Sequence, residues 1–171
     1  MALNSYKWEN NMERVNRILQ NPYYKECLRK IGDWEKDRIF CGHDTNHLLH
    51  VARIAMLLNI EKRMNIPKAH VYAAALLHDI GRFVEYETGE DHAVVSARMA
   101  PEFLVAAGFD EDEVAEVVEA IGNHRNKAVA MEPNLKGALY RADKLSRDCY
   151  FCKAETECDW GSEKKNRGIT W

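Results

Sequence analysis

Apolar residues recur at helical spacing through most of the chain, and no Val/Ile/Thr-rich stretch alternates with period two over more than a few positions. This pattern predicts an all-α fold, a compact bundle of about six to seven helices. The first helix spans about Lys7 to Gln20 and ends near Asn21-Pro22; the second spans about Tyr24 to Phe40, with Leu28 and Ile31 inward. A third starts at Asp44-Thr45, either of which can cap it, and runs to about Met64 with His47, Val51, Ile54 and Leu58 on one stripe. Pro67 suits the first turn of a fourth, which carries Val71, Ala74, Ala75 and His78 inward and is expected to stop at Gly81 in a left-handed cap. A loop from Phe83 to Glu90 follows. Asp91 then caps a helix from His92 to about Ala107, and Asp110 with Glu113 forms a capping box for one that carries Val114, Val117, Val118 and Ile121 toward His124. The last helix spans about Asn134 to Tyr150, with Asp143 one turn beyond Leu139.

Composition narrows the class. With 171 residues, 46% apolar, and no fixed-period repeat, low-complexity tract or Gly/Ser linker, one domain over residues 1–171 is expected. Its core is about 44–150, flanked by N-terminal helices (1–43) and a polar tail (151–171). A net charge of -3 gives no polybasic surface, so no nucleic-acid polymer is expected as partner. The longest apolar run, Val71 to Leu77, is far below the roughly 18 to 20 residues of a membrane span. The opening MALNSYKWEN has no signal-peptide core, so a cytoplasmic, membrane-free protein is expected. Five cysteines, an odd number, favour thiols over disulfides in a reducing compartment. Oligomeric state is not encoded legibly.

Four histidines (His47, His78, His92, His124) and two aspartates (Asp79, Asp143) fall on or beside inward stripes of five different helices. A single inward histidine is commonly a hydrogen-bonded core residue and a single aspartate a cap, but six together need a common cause. Burying two carboxylates is costly without a counter-charge, and a divalent cation among imidazole nitrogens and carboxylate oxygens supplies one; Mn, Fe, Ni, Co, Zn and Mg are the candidates. Adjacent residues on a helix point about 100° apart, so His78 and Asp79 share an ion only at a helix end.

The segments A-A-L-L-H-D-I-G (74–81), H-L-L-H-V-A-R-I-A (47–55) and A-D-K-L (142–145) resemble the HD-domain metal-dependent phosphohydrolase superfamily over about 100 of the 171 residues. The resemblance implies His47, His78, Asp79 and Asp143 as metal ligands; His43 and His50 lie close by without the usual spacing. Relatives also place histidines as in D-H-A-V-V-S-A and A-I-G-N-H-R, here His92 and His124. These either complete a two-metal site bridged by Asp79 or bind substrate phosphate.

The implied function is a phosphomonoesterase or phosphodiesterase acting on a nucleotide or related small phosphorylated metabolite, using one or two cations to activate water. Asp79 or Asp143 could take its proton, and Arg82, Arg125 and Lys144 could clamp phosphate, although a cation at a helix end also serves the dipole. The same ligand set resembles that of diiron HD-domain oxygenases, and a non-catalytic nucleotide sensor is a further alternative. Separately, Cys149, Cys152 and Cys158 form C-x2-C-x5-C, to which Cys41 could add a fourth ligand for a structural zinc or iron-sulfur centre; otherwise they are small core residues, as Cys27 looks to be. Trp160 and Trp171 could pin the tail or form a subunit contact.

Overall fold

The structure is a computed structural model that describes residues 5–171, with side chains from Met12 onward; Met1 to Asn4, within the opening read for targeting, lie outside the described residues. Among these residues the chain forms eight α-helices and no strand: α1 (Ser5–Gln20), α2 (Pro22–Glu35), α3 (Thr45–Glu61), α4 (Lys68–Leu77), α5 (Arg82–Thr88), α6 (His92–Ala107), α7 (Glu111–Asn123) and α8 (Leu135–Leu145). Short 3-10 turns follow at Lys127–Val129, Cys149–Phe151 and Ser162–Lys164.

Helix α4 explains the layout. From Ala69 to Leu77 its residues are buried save Tyr72, so it is apolar all round and must lie inside the bundle. It packs against α1, α3, α6, α7 and α8, and one apolar cluster draws residues from all eight helices. The chain leaving α4 at His78 therefore emerges in the interior, which is why the two polar residues there are buried.

The caps read from the sequence form. Asp44 accepts from the His47 amide at 3.0 Å, Asp91 from the Ala93 amide at 2.8 Å, and Asp110 with Glu113 closes a reciprocal capping box. These set where α3, α6 and α7 begin, and hence the register of His47 and His92.

Four boundaries differ. Helix α2 ends at Glu35 rather than near Phe40, because the Glu35 carboxylate turns back to accept from the His43 amide at 2.8 Å. The segment expected as a loop after Gly81 is α5, closed by Gly89 in the left-handed region at φ 81°. Gly81 itself is not left-handed, with φ -84°; glycine is needed there because a Cβ would stand 2.7 Å from the Ser96 nitrogen and from Val95. Finally, α8 stops at Leu145 instead of continuing to Tyr150.

That last stop is made by the tail. The Asn166 side-chain amide donates to the carbonyls of Lys144 (3.0 Å), Leu145 (3.2 Å) and Arg147 (2.9 Å), which have no partner further along a helix. Trp171 packs on the apolar cluster with its ring 5.8 Å from that of His50, and Arg147 lies 3.8 Å over the Trp160 ring. The tail is pinned to the body, as one of the two readings of its tryptophans had it. Asn166→Ala is expected to cost about 1–2 kcal/mol in denaturant unfolding, since it removes the donor for three carbonyls at once; unchanged stability would mean that water serves them equally well.

Candidate metal centre

All six predicted ligands meet. The interhelical pocket gathers His47 from the first turn of α3, His78 and Asp79 from the end of α4, His92 from the start of α6, His124 from the end of α7 and Asp143 from α8. His78 is 0%, His124 1%, and Asp79 and His92 3% exposed, so water alone cannot satisfy them.

Asp79 stands at the middle and divides its oxygens. Oδ2 lies 3.2 Å from His78 Nε2 and 3.5 Å from His47 Nε2; Oδ1 lies 3.1 Å from His92 Nε2 and 3.7 Å from His124 Nε2. Asp143 Oδ1 borders the first pair, 3.7 Å from His47 Nε2 and 3.9 Å from His78 Nε2. The result is two clusters sharing one carboxylate, His47/His78/Asp79 and Asp79/His92/His124, in each of which the donor atoms lie within 4.8 Å of one another.

The imidazoles are aimed by their other nitrogens. His78 Nδ1 bonds the Ala75 carbonyl and His124 Nδ1 the Ile121 carbonyl, each at 2.7 Å, so Nδ1 carries the proton and Nε2 presents a lone pair to Asp79. His92 Nδ1 is held at 2.7 Å by Glu85, and His47 Nδ1 lies 3.4 Å from Ser146 Oγ.

Buried Nε2 atoms of His47 and His78 have no hydrogen-bond partner in this arrangement. Lone pairs left unpaired beside two carboxylates are what a divalent cation satisfies, with bonds of roughly 2.0–2.2 Å to N and O donors. The residues fit such an ion.

The electrostatics agree. Burial alone would raise the Asp79 carboxyl, yet the facing imidazoles of His78, His47 and His92, His78 foremost, hold it well below the usual range. Asp143 is lowered too, against burial, by the Lys144 ammonium and His78. Burial opposes charge on His78, but the two aspartates outweigh it and raise its pKa, whereas burial and His78 drive His124 down to about 3. The pocket thus holds two ionised carboxylates among largely buried imidazoles.

Around this centre a cavity of about 680 Å³ opens to solvent. Arg82, Arg125 and Lys144 all line it, and their partners distinguish them. The Lys144 ammonium is paired with Asp143, and Arg125 with Asp91 at 2.6 Å. Arg82 lies 2.9 Å from Glu85 and 2.8 Å from His43 Nε2, while its buried Nε makes no hydrogen bond and stands 4.0 Å from Asp79 Oδ1.

Sequence reasoning left the part of His43 open and missed Glu35, Tyr86 and Glu85. His43 is buried, bonded through Nδ1 to Glu35 Oε1 at 2.5 Å, with its Nε2 3.9 Å from Asp79. Tyr86 donates to the same Glu35 oxygen at 2.6 Å, and with His43 it holds that carboxyl at about 2 against the burial that would raise it. Glu85 orients His92 and draws in Arg82 and Arg125. The signal for Glu85 and Tyr86, a helix in place of a loop after Gly81, was hidden by the turn-like E-T-G-E ending. Glu85→Gln is expected to weaken Mn2+ binding at the His92/His124 cluster about 10–100-fold by calorimetry and to leave the His47/His78 cluster unchanged; equal affinity at both clusters would show that Glu85 does not tune His92.

No cysteine is in the two donor clusters. Cys41, Cys149 and Cys152 line the same cavity, Cys158 is half-buried, and Cys27 is in the core; none is in a disulfide.

Comparison with known proteins agrees with the geometry. An uncharacterized protein of Clostridium beijerinckii is 42% identical over 155 residues, covering 91% of this chain and 97% of that protein. Ribonuclease Y of Petrotoga mobilis is 31% identical over 132 residues, 77% of this chain, which spans only 23% of the ribonuclease's length. The crystal structure of a predicted HD superfamily hydrolase from an uncultured Thermotogales bacterium superposes with a TM-score of 0.61 at 26% identity, covering 90% of this chain and 80% of that one. Residues 45–148 match the HD domain family, and they contain every one of the six converging ligands. The chain belongs to the HD domain family.

Proposed function

We propose that the protein is a metal-dependent phosphohydrolase that cleaves a phosphate ester of a nucleotide or nucleotide-like metabolite. The carrying observation is Asp79, whose two oxygens face separate imidazole pairs, with two buried Nε2 lone pairs otherwise unpaired. His47, His78, Asp79 and Asp143 would hold one cation, and Asp79, His92 and His124 a second. When bound, such cations lower the pKa of a water molecule and neutralise charge growing on a phosphoryl oxygen.

The chain's own groups do the rest. Nε2 lone pairs are pre-aimed by backbone carbonyls and Glu85, so little reorganisation accompanies binding. Arg82, which lines the cavity with its Nε 4.0 Å from Asp79 and without a hydrogen bond, is the favoured phosphate contact; Arg125, half exposed, reaches from the rim. Asp79 and Asp143 are both held ionised; with the two Asp79 oxygens turned to the separate imidazole pairs, Asp143, at the more accessible position, is the better placed to accept a proton from the attacking water.

The nucleotide assignment rests on the cavity mouth. Phe40, Phe151 and Trp160 line it beside Arg38 and Arg147, giving aromatic faces for a base and cations for phosphate. Its volume suits a mononucleotide. The likeness to ribonuclease Y adds a phosphodiester in a short RNA end as a second substrate to try.

The test is a screen of protein loaded with Mn2+, Co2+, Ni2+, Mg2+ or Fe2+ against nucleoside mono-, di- and triphosphates, dinucleotides and short RNA. Metal-dependent release of phosphate or of a shortened nucleotide is expected, and inactivity of metal-replete protein on every compound would contradict the assignment.

A further inference from the structure

Three thiols line the same cavity as the histidines. Cys41 comes from the loop between α2 and α3, Cys149 from the 3-10 turn after α8 and Cys152 from just beyond it, so residues more than a hundred positions apart border one cavity. The Cys41 thiol lies within electrostatic reach of both Cys149 and Cys152, and of Arg147.

The early end of α8 matters here. In an α-helix, residues three apart diverge by about 60°, whereas in a 3-10 turn, with three residues per turn, side chains at i and i+3 eclipse. The Cys152 amide bonds the Cys149 carbonyl at 3.2 Å, closing that turn at the residue just after it. Two further turns, Glu155 amide to Cys152 carbonyl (3.2 Å) and Glu157 amide to Ala154 carbonyl (3.1 Å), fold the chain back toward Cys158.

We propose that Cys41, Cys149, Cys152 and Cys158 form a thiolate zinc site that ties the loop before α3 to the segment after α8. Four soft sulfur donors from a C-x2-C-x5-C segment and a distant loop match a closed tetrahedral zinc site rather than a catalytic one. Each thiol that binds gives its proton to solvent, so binding tightens as pH rises. The four sulfurs are not drawn together in advance, since both groups of donor atoms within 4.8 Å are the His/Asp ones; metal and local folding arrive together, as is usual for such sites. The zinc would brace the cavity wall without touching the reacting phosphate, so this assignment is independent of the hydrolase reading.

Apo full-length protein titrated with Co2+ as spectroscopic probe tests it. Expected are an intense sulfur-to-cobalt charge-transfer band and tetrahedral visible bands, which the His/Asp centre has no sulfur to produce. Zn2+ should abolish them and shield four of the five cysteines from a thiol reagent after denaturant-free labelling, with Cys27 hidden in the core in either state. Cys152→Ser and Cys41→Ser should each lose the band; Cys27→Ala should keep it. A spectrum without the sulfur band in wild-type protein, or a band that survives both serine variants, would overturn the assignment. The wild-type measurement stands even if a variant fails to fold.

Discussion

Asp79→Asn is expected to strip divalent metal from both clusters and to lower kcat/KM for any phosphate ester the protein cleaves by about 10³-fold or more. The amide matches the carboxylate in size but carries no charge and presents one acceptor instead of two. One of the two clusters must therefore lose its shared oxygen, and both lose the anion at their centre. Several kcal/mol of transition-state stabilisation by a cation translate into about three powers of ten in rate. The helices should persist, because α4 is held by apolar packing on every side rather than by its last polar residue. Circular dichroism and metal analysis on one sample separate these effects. A variant that keeps both its metal and its rate would remove Asp79 from the centre of the account.

Gly81→Ala is expected to destabilise the protein by about 1–3 kcal/mol and to reduce activity with it. The backbone there is comfortable for alanine, so the effect comes from crowding: the new Cβ meets the Ser96 nitrogen and Val95 on α6. Backbone atoms cannot rotate away, so the α4–α5 junction must shift, and with it Asp79, two residues earlier, and Arg82, next in sequence. The Gly81 amide also bonds Ser96 Oγ at 2.9 Å, which fixes the same approach. Val95→Ala in the Gly81→Ala background should give little rescue, since the Ser96 nitrogen remains. Full rescue would place the strain in the valine side chain alone. Chemical denaturation of the two variants decides between these.

Four of the six ligands sit at helix ends with a readable punctuation mark: Asp44 before His47, Asp91 before His92, Gly81 soon after His78 and Asp79; His124 and Asp143 were found from the apolar stripes they extend. Burial alone would not have sorted them. His70, on the same helix as His78 and also buried, is satisfied by Glu116 at 2.6 Å and Glu113 at 3.1 Å on α7, where surface acids and no second histidine await it. The family motif told the two apart before the geometry did. What stayed illegible depends on long-range contacts: α8 ends where Asn166, 21 residues beyond Leu145, reaches its carbonyls, and α2 ends where Glu35 turns to His43. Local propensity carries no record of either partner. The short α5 was obscured for a different reason, since its seven residues are too few for an apolar period to declare itself beside Gly89.

The most direct test of the central claim is anomalous diffraction from crystals soaked in Mn2+. The account predicts two peaks flanking Asp79, one bonded to His47, His78 and Asp143 and the other to His92 and His124. Manganese absent from both sides of Asp79 at full occupancy elsewhere would contradict it.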